Sequence, residues 1–212
     1  MARAISSAGL VDMSGGGDAA RTPLRMSRFA LAAGGVALGL AFLVVASRPV
    51  GPDSVTSSVA NLLVVATSLL LLGLPGLFVT QARAAGSAGM VGHALLTVGL
   101  LLLVLVSAGP ILYPDQNIVA PEDALLFLLA LALSGGLLMT GISMWRAGAV
   151  PKIAAAMLLV GTAGFFFSFF IAELVTPFAG QVATAVSGVA LGGGFAIAGL
   201  ASGGDSRARA AA

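Results

Sequence analysis

The stretch SMWRAGAVPKIAAAML, residues 143–158, places Arg146 and Lys152 between two long apolar runs that carry no charge. Gly148 and Pro151 lie between the two cations, and both residue types interrupt or end helices. Cations at such a point remain at the wet membrane interface, where anionic lipids attract them. The stretch therefore predicts a tight turn at a membrane surface between two transmembrane helices.

Composition predicts a membrane location for the rest of the chain as well. Hydrophobic residues make up 58% of the 212 residues and charged residues 8%, whereas soluble domains have about 45–50% and about 25%. The absence of cysteine excludes disulfides, thiolate metal sites and thiol catalysis. The net charge is only +2 and the basic residues fall in short loops, which argues against a nucleic-acid partner.

Six apolar runs follow a polar first segment, residues 1–27, whose composition predicts a disordered tail. Each run has about 20 residues or more, enough to cross about 30 Å of hydrocarbon. The first run could instead be a cleaved signal sequence, but it is longer than the usual core of about 7–15 residues. We therefore expect an all-α integral membrane bundle of six transmembrane helices within residues 28–201, before a tail at 202–212. The predicted spans are 28–47, 56–80, 89–112, 123–144, 153–172 and 180–201.

The distribution of basic residues predicts the orientation. Placing the N-terminus in the cytoplasm puts nine of the ten basic residues in inside segments, and only Arg48 outside, as the positive-inside rule requires. Both termini are therefore predicted to be cytoplasmic. The excess of arginine over lysine in an Ala- and Gly-rich chain is typical of GC-rich bacteria, so the predicted location is a bacterial plasma membrane. The predicted inside residues are Arg3, Arg21, Arg25, Arg28, Arg83, Arg146, Lys152, Arg207 and Arg209.

A second turn, QARAAGSAG at 81–89, suggests an internal repeat. Arg83 and Arg146 are separated by 63 residues and Gly99 and Gly161 by 62, and Arg207 marks a weaker third copy. Two interpretations stay open. Either the chain contains three parallel helical-hairpin repeats of about 62 residues, or the matches reflect shared Ala, Gly and Leu content.

The Arg-Ala-Gly turn followed by Pro and by an Ala/Leu helix with an early Gly, within 123–165, resembles uncharacterised multi-pass membrane proteins of GC-rich bacteria. The loop at 81–89 departs from this pattern because it lacks the proline. The resemblance implies a helical bundle and brings no activity with it.

Catalytic chemistry has little support in the sequence. The predicted spans hold no ionisable residue at mid-depth, where such residues usually mark a function. The one histidine, His93, could be a haem ligand or proton relay, or simply an interfacial hydrogen-bonding side chain. The common nucleotide, zinc-protease, serine-hydrolase and calcium motifs are absent. We therefore expect no catalytic residue, metal or cofactor, and a protein that is not an enzyme.

The predicted outer loops carry the candidate ligand-binding residues. Paired carboxylates hold cations or act as acid and base, and Glu173, which follows FFFSFFIA, and Asp115 are the candidates. Alternatively, these loops are polar only because they face water, and the acidic residues complement helix dipoles. The group comprises Tyr113, Asp115, Glu122, Asp123 and Glu173.

Glycines and one proline give clearer packing signals. Gly35 and Gly39 form one G-x-x-x-G pair, and Gly188 and Gly192 another. Small residues at this spacing allow close helix contact, within a chain or between copies. Pro75, with a glycine close on either side, predicts a kinked or broken second helix, a feature that can line a transport site.

Two functional hypotheses follow, and both place the protein in contact with the lipid bilayer. One is a non-enzymatic scaffold or regulatory subunit with a membrane-protein partner or a second copy. The other is a permease or channel subunit for a small neutral or lipidic molecule, and an outer-face enzyme using Glu173 is a more distant third. A polar cavity near Pro75, Thr67, Ser68, Ser134 and Thr140 would favour the permease, and a dry centre of leucine and glycine the scaffold.

Overall fold

A computed structural model of the chain describes residues 16–47, 57–112, 123–148, 150–170 and 176–201. These residues are almost entirely helical and contain no strand, so the predicted all-α architecture is confirmed. The five helices that they form are α1 (Gly16–Ala46), α2 (Ser57–Leu112), α3 (Asp123–Ala147), α4 (Lys152–Phe170) and α5 (Pro177–Ala201).

Helix α2 is interrupted at Gly86, where φ is 60° and ψ is −164°. A side chain disfavours this backbone region, which glycine adopts freely. We call the arm before Gly86 α2N and the arm after it α2C, which gives six helical segments in the described part of the chain. Gly86 lies in the predicted turn at 81–89 and lets the chain reverse direction there.

Gly148 plays the same role after α3, with a φ of 61°. Its N–H donates to the carbonyl of Met144 across 3.2 Å, which satisfies one of the last carbonyls of α3. Pro151 follows and α4 begins at Lys152. The predicted turn at 143–158 is therefore formed by a left-handed glycine that ends one helix and a proline that precedes the next.

Five of the six segments are long and apolar enough to cross a membrane, and the chain is a multi-pass membrane protein. The sixth, the apolar run Lys152–Ser168 of α4, is shorter and spans about 25 Å at 1.5 Å per residue. Many large apolar side chains point outward, among them Leu72, Val98 and Leu105, and they suit contact with lipid. The five long spans are Thr22–Ala46, Ser58–Gln81, Gly86–Gly109, Ala124–Ala147 and Phe178–Ala201.

The first helix begins earlier than the predicted span at 28–47. Part of the predicted tail, from Gly16 onward, is helical, and residues 1–15 lie outside the described residues. Charge does not end a helix when the charged groups can reach water or an aromatic ring. The guanidinium of Arg25 lies 5.9 Å from the centre of the Phe29 ring, one turn further along α1.

The segments pack as three antiparallel hairpins arranged in a ring. The hairpins are α1 with α2N, α2C with α3, and α4 with α5. Contact between α3 and α4 joins the second hairpin to the third, and an extensive contact between α1 and α5 joins the third back to the first. The Phe78 and His93 rings, 4.8 Å apart, connect α2N to α2C. The buried core lies inside this ring.

Candidate functional site

The first hairpin is closed by two Leu-x-x-Gly motifs that pack against each other. A Cβ atom added at Gly73 would lie 2.5 Å from the backbone nitrogen of Leu31, and one added at Gly34 would lie 2.8 Å from the nitrogen of Leu70. Each glycine thus leaves room for the backbone of the opposite helix at the motif leucine of that helix. Both leucines are buried.

The second hairpin repeats this reciprocal contact. Leu96 and Gly99 of α2C face Leu133 and Gly136 of α3. A Cβ at Gly99 would lie 2.9 Å from the nitrogen of Leu133, and a Cβ at Gly136 would overlap the backbone of Leu96. Both leucines are again buried.

The third hairpin completes the series. Leu158 and Gly161 of α4 face Leu191 and Gly194 of α5. A Cβ at Gly161 would lie 2.8 Å from the nitrogen of Leu191, and one at Gly194 would lie 2.9 Å from Cγ of Leu158. Each of the six described segments therefore contributes one buried leucine and one contact glycine.

The contacts between hairpins follow the same register. Phe78, Gly141 and Gly199 each lie five residues after the motif glycine of their helix. Phe78 contacts His93. A Cβ at Gly141 would lie 3.7 Å from the carbonyl oxygen of Ala155. A Cβ at Gly199 would lie 2.7 Å from the carbonyl oxygen of Arg28.

His93, Ala155 and Arg28 in turn each lie three residues before a motif leucine. Equivalent positions thus make both the contacts within hairpins and the contacts between them. The described segments therefore form a closed ring with pseudo-threefold symmetry about an axis parallel to the helices, as expected of three parallel hairpin repeats.

A cavity of about 240 Å³ lies inside the ring, and every described residue that lines it is apolar. We call it the central cavity. Each of the six segments contributes at least one side chain to its wall, for example Leu38, Leu63, Leu100, Leu133, Phe165 and Leu191.

The polar residues that would mark a permease do not line the central cavity. Thr67 is fully buried, and its hydroxyl donates to the carbonyl of Leu63 one turn back, at 2.6 Å. The hydroxyls of Ser134 and Thr140 are buried without a hydrogen-bond partner in the described structure. The polar cavity that the permease hypothesis requires is thus not found among the described residues.

The four glycines of the G-x-x-x-G pairs lie at the contact between α1 and α5. A Cβ at Gly35 would lie 2.6 Å from the carbonyl oxygen of Gly192, and one at Gly39 would lie 3.3 Å from that of Gly188. Here the structure places both pairs within one chain, where they join the first hairpin to the third.

Pro75 is exposed and lies away from the central cavity. Beside it, the hydroxyl of Ser27 in α1 accepts a hydrogen bond from the N–H of Gly76, at 3.0 Å. The same hydroxyl lies 2.8 Å from the carbonyl oxygen of Gly73 and can donate to it. A side chain from α1 thus enters the backbone ladder of α2N at the predicted kink, and the helix continues through the proline.

The remaining candidates give no site in the described structure. Glu173, Asp115, Tyr113 and Glu122 lie outside the described residues. His93 is half-buried against Phe78, and the described residues hold no group of three His, Asp or Glu side chains able to bind a metal ion. Comparison of the chain with protein-family models, curated proteins and solved structures gave no match.

Proposed function

We propose that the protein is a non-enzymatic scaffold or partner-regulating subunit of a bacterial plasma membrane. The observation that carries this proposal is the apolar interior, in which leucine and alanine form most of the buried core and the central cavity has a wholly apolar described lining. The described lining of the cavity offers neither a polar path nor groups that could transfer a proton or bind charge. What the ring does provide is a rigid set of outward helix faces.

The outer face of α1 is the best place for a partner helix. A shallow groove of about 480 Å³ runs along it. Its small side chains include Ala33 and Ala37, which are one turn apart, and Phe29 and Leu40 lie beside them. Small residues at this spacing allow another transmembrane helix to approach closely. The groove therefore suits a single-helix segment of a partner.

The test replaces Ala33 with leucine and compares it with Ala94→Leu, a matched change at an exposed position of α2C. Purification in mild detergent, followed by mass spectrometry, should recover a stoichiometric membrane-protein partner with the unaltered chain and with Ala94→Leu. Ala33→Leu should lose that partner without losing the folded bundle. Purification of the unaltered chain with no protein in stoichiometric amount would contradict the scaffold proposal.

A permease or channel subunit for a small neutral or lipidic molecule is the second candidate, and of these two ligands the apolar described lining of the central cavity is compatible with the lipidic one. Transfer of a fluorescent lipid between the leaflets of vesicles containing the purified protein tests it. Transfer above that of protein-free vesicles would favour the permease, and the scaffold proposal predicts none.

A further inference from the structure

From the geometry of the central cavity, we infer that it is a binding site for the end of one acyl chain of a bilayer phospholipid. This inference stands apart from the scaffold proposal, because it rests on the interior of the ring and not on its outer faces. The cavity lies on the pseudo-threefold axis, with a wall built from all six described segments.

The chemistry of the wall restricts the ligand to a hydrocarbon. The described lining consists of Leu, Val and Phe side chains, none of which can hydrogen-bond to a water molecule. Smaller apolar cavities, of about 150 Å³, stay dry and bind benzene or xenon. A void of about 240 Å³ leaves its walls without contact partners. A flexible chain of methylene groups restores those contacts.

The position of the cavity identifies the source of the hydrocarbon. Its inner end, at Leu137 and Phe195, lies about one helical turn beyond the motif leucines, and from there the cavity extends away from the end of the bundle that carries Arg146 and Lys152. Its lining reaches Val45, next to the last residue of α1. The cavity therefore runs from the middle of the spans almost to one membrane surface. Phospholipid acyl chains are the hydrocarbon present in excess over that depth.

The chain offers a matched pair of variants at the outer end of the cavity. Val45 lines the cavity, and its neighbour Val44 points outward and is exposed. Val45→Trp places a large side chain in the cavity, whereas Val44→Trp places the same side chain in lipid. Val45 is only partly buried, so the substitution disturbs the core less than one at a motif leucine.

The experiment uses vesicles of phosphatidylethanolamine and phosphatidylglycerol doped with a phosphatidylglycerol that has a diazirine at the end of one acyl chain. After irradiation, mass spectrometry locates the cross-linked residues. Cross-links to Leu100 and Leu133, at least tenfold weaker in Val45→Trp and unchanged in Val44→Trp, would support the inference. Cross-links confined to outward-facing residues in the unaltered protein would overturn it.

Competition distinguishes two possible sources of the hydrocarbon chain, a phospholipid and a polyprenyl phosphate. Excess unlabelled phosphatidylglycerol should reduce the interior cross-links in proportion to its amount. If only a polyprenyl phosphate reduces them, the phospholipid assignment is wrong. If Val45→Trp does not fold, the cross-links of the unaltered protein alone decide between the two outcomes. Loss of the protein partner through Ala33→Leu leaves those cross-links unaffected, so the two proposals fail independently.

Discussion

Leu31 and Gly73 are in contact at the centre of the first hairpin, where the missing side chain of Gly73 makes room for the backbone of Leu31. A Cβ at Gly73 would lie only 2.5 Å from the Leu31 nitrogen. The same relationship joins Leu96 to Gly136, and Gly194 makes room for the side chain of Leu158 in the third hairpin. Because contacts between helices in a bilayer depend on close packing rather than on exclusion of water, these glycines determine how near the helices lie.

The neighbouring glycines of α3 test this role. A Cβ at Gly136 would overlap the backbone of Leu96, whereas one at Gly135 meets only a side-chain atom of Leu95, at 3.8 Å. Gly136→Ala should lower the free energy of unfolding by about 1–3 kcal/mol through overpacking. Gly135→Ala should be neutral or stabilise by up to about 1 kcal/mol, because alanine favours the helix. Unfolding in mixed detergent, followed by circular dichroism, measures both, and equal losses would contradict the packing role.

The contact between α1 and α5 should show a graded response. A Cβ at Gly192 would lie 2.5 Å from the carbonyl oxygen of Gly35, while the nearest atom to one at Gly39 is 3.3 Å away. We expect Gly192→Ala to destabilise the protein by about 1–3 kcal/mol. Gly39→Ala should destabilise it by less, because a shift of a few tenths of an ångström relieves the contact of the new Cβ with the Gly188 carbonyl. Thermal unfolding of the two variants gives the order. The opposite order would show that this contact does not limit stability.

Ser27 should stabilise α2N beside Pro75. Ser27→Ala removes the acceptor of the Gly76 N–H, and leaving such a group unpaired costs about 1–3 kcal/mol. Ser47→Ala is the control, since the Ser47 hydroxyl is exposed and bonds only within its own turn. Pro75→Ala should restore the regular backbone hydrogen bonds of α2N. In a Pro75→Ala protein, Ser27→Ala should therefore lower the free energy of unfolding by less than in the unaltered protein, the difference being at least about 0.5 kcal/mol. Additive losses would mean that serine and proline act independently.

Two single-cysteine variants test the orientation, and the cysteine-free natural chain serves as the blank. Ser47 and Lys152 are exposed at opposite ends of the bundle. With cytoplasmic termini, Ser47→Cys should react with an impermeant maleimide in intact cells, and Lys152→Cys only after lysis. The reverse pattern would show that the positive-inside rule gives the wrong orientation here.

The sequence predicted the class of fold because length, apolarity and charge act locally. Arg146, Gly148 and Pro151 carry the information for one turn, and Gly86, not singled out as such, forms the other break. The match of Gly99 with Gly161 contained the signal for the repeated motif, since a leucine precedes each by three residues. The pairing of these motifs across hairpins was not predictable, because Leu and Gly are too common for spacing alone to identify partners.

The interior could be predicted only in part. The sequence left open whether the centre is polar or dry, and no sequence pattern distinguishes Val45, which lines the central cavity, from Val44, which faces outward. Ser27 likewise has no signal in the sequence, because its partners lie more than 40 residues away. Such features depend on the rotation of each helix within the ring.

Closure of the ring by the first and last helices is the central claim, and a cysteine pair tests it most directly. A Cβ at Gly199 would lie 3.1 Å from that of Ala32, close to the separation of about 3.8 Å in a disulfide. Ala32→Cys with Gly199→Cys should form an intramolecular disulfide on mild oxidation, detected by its shift on a denaturing gel. The pair Ala33→Cys with Gly199→Cys should not, because Ala33 faces outward. No cross-link with Ala32→Cys in a variant that circular dichroism shows to be folded, or cross-links only between chains, would contradict a closed ring.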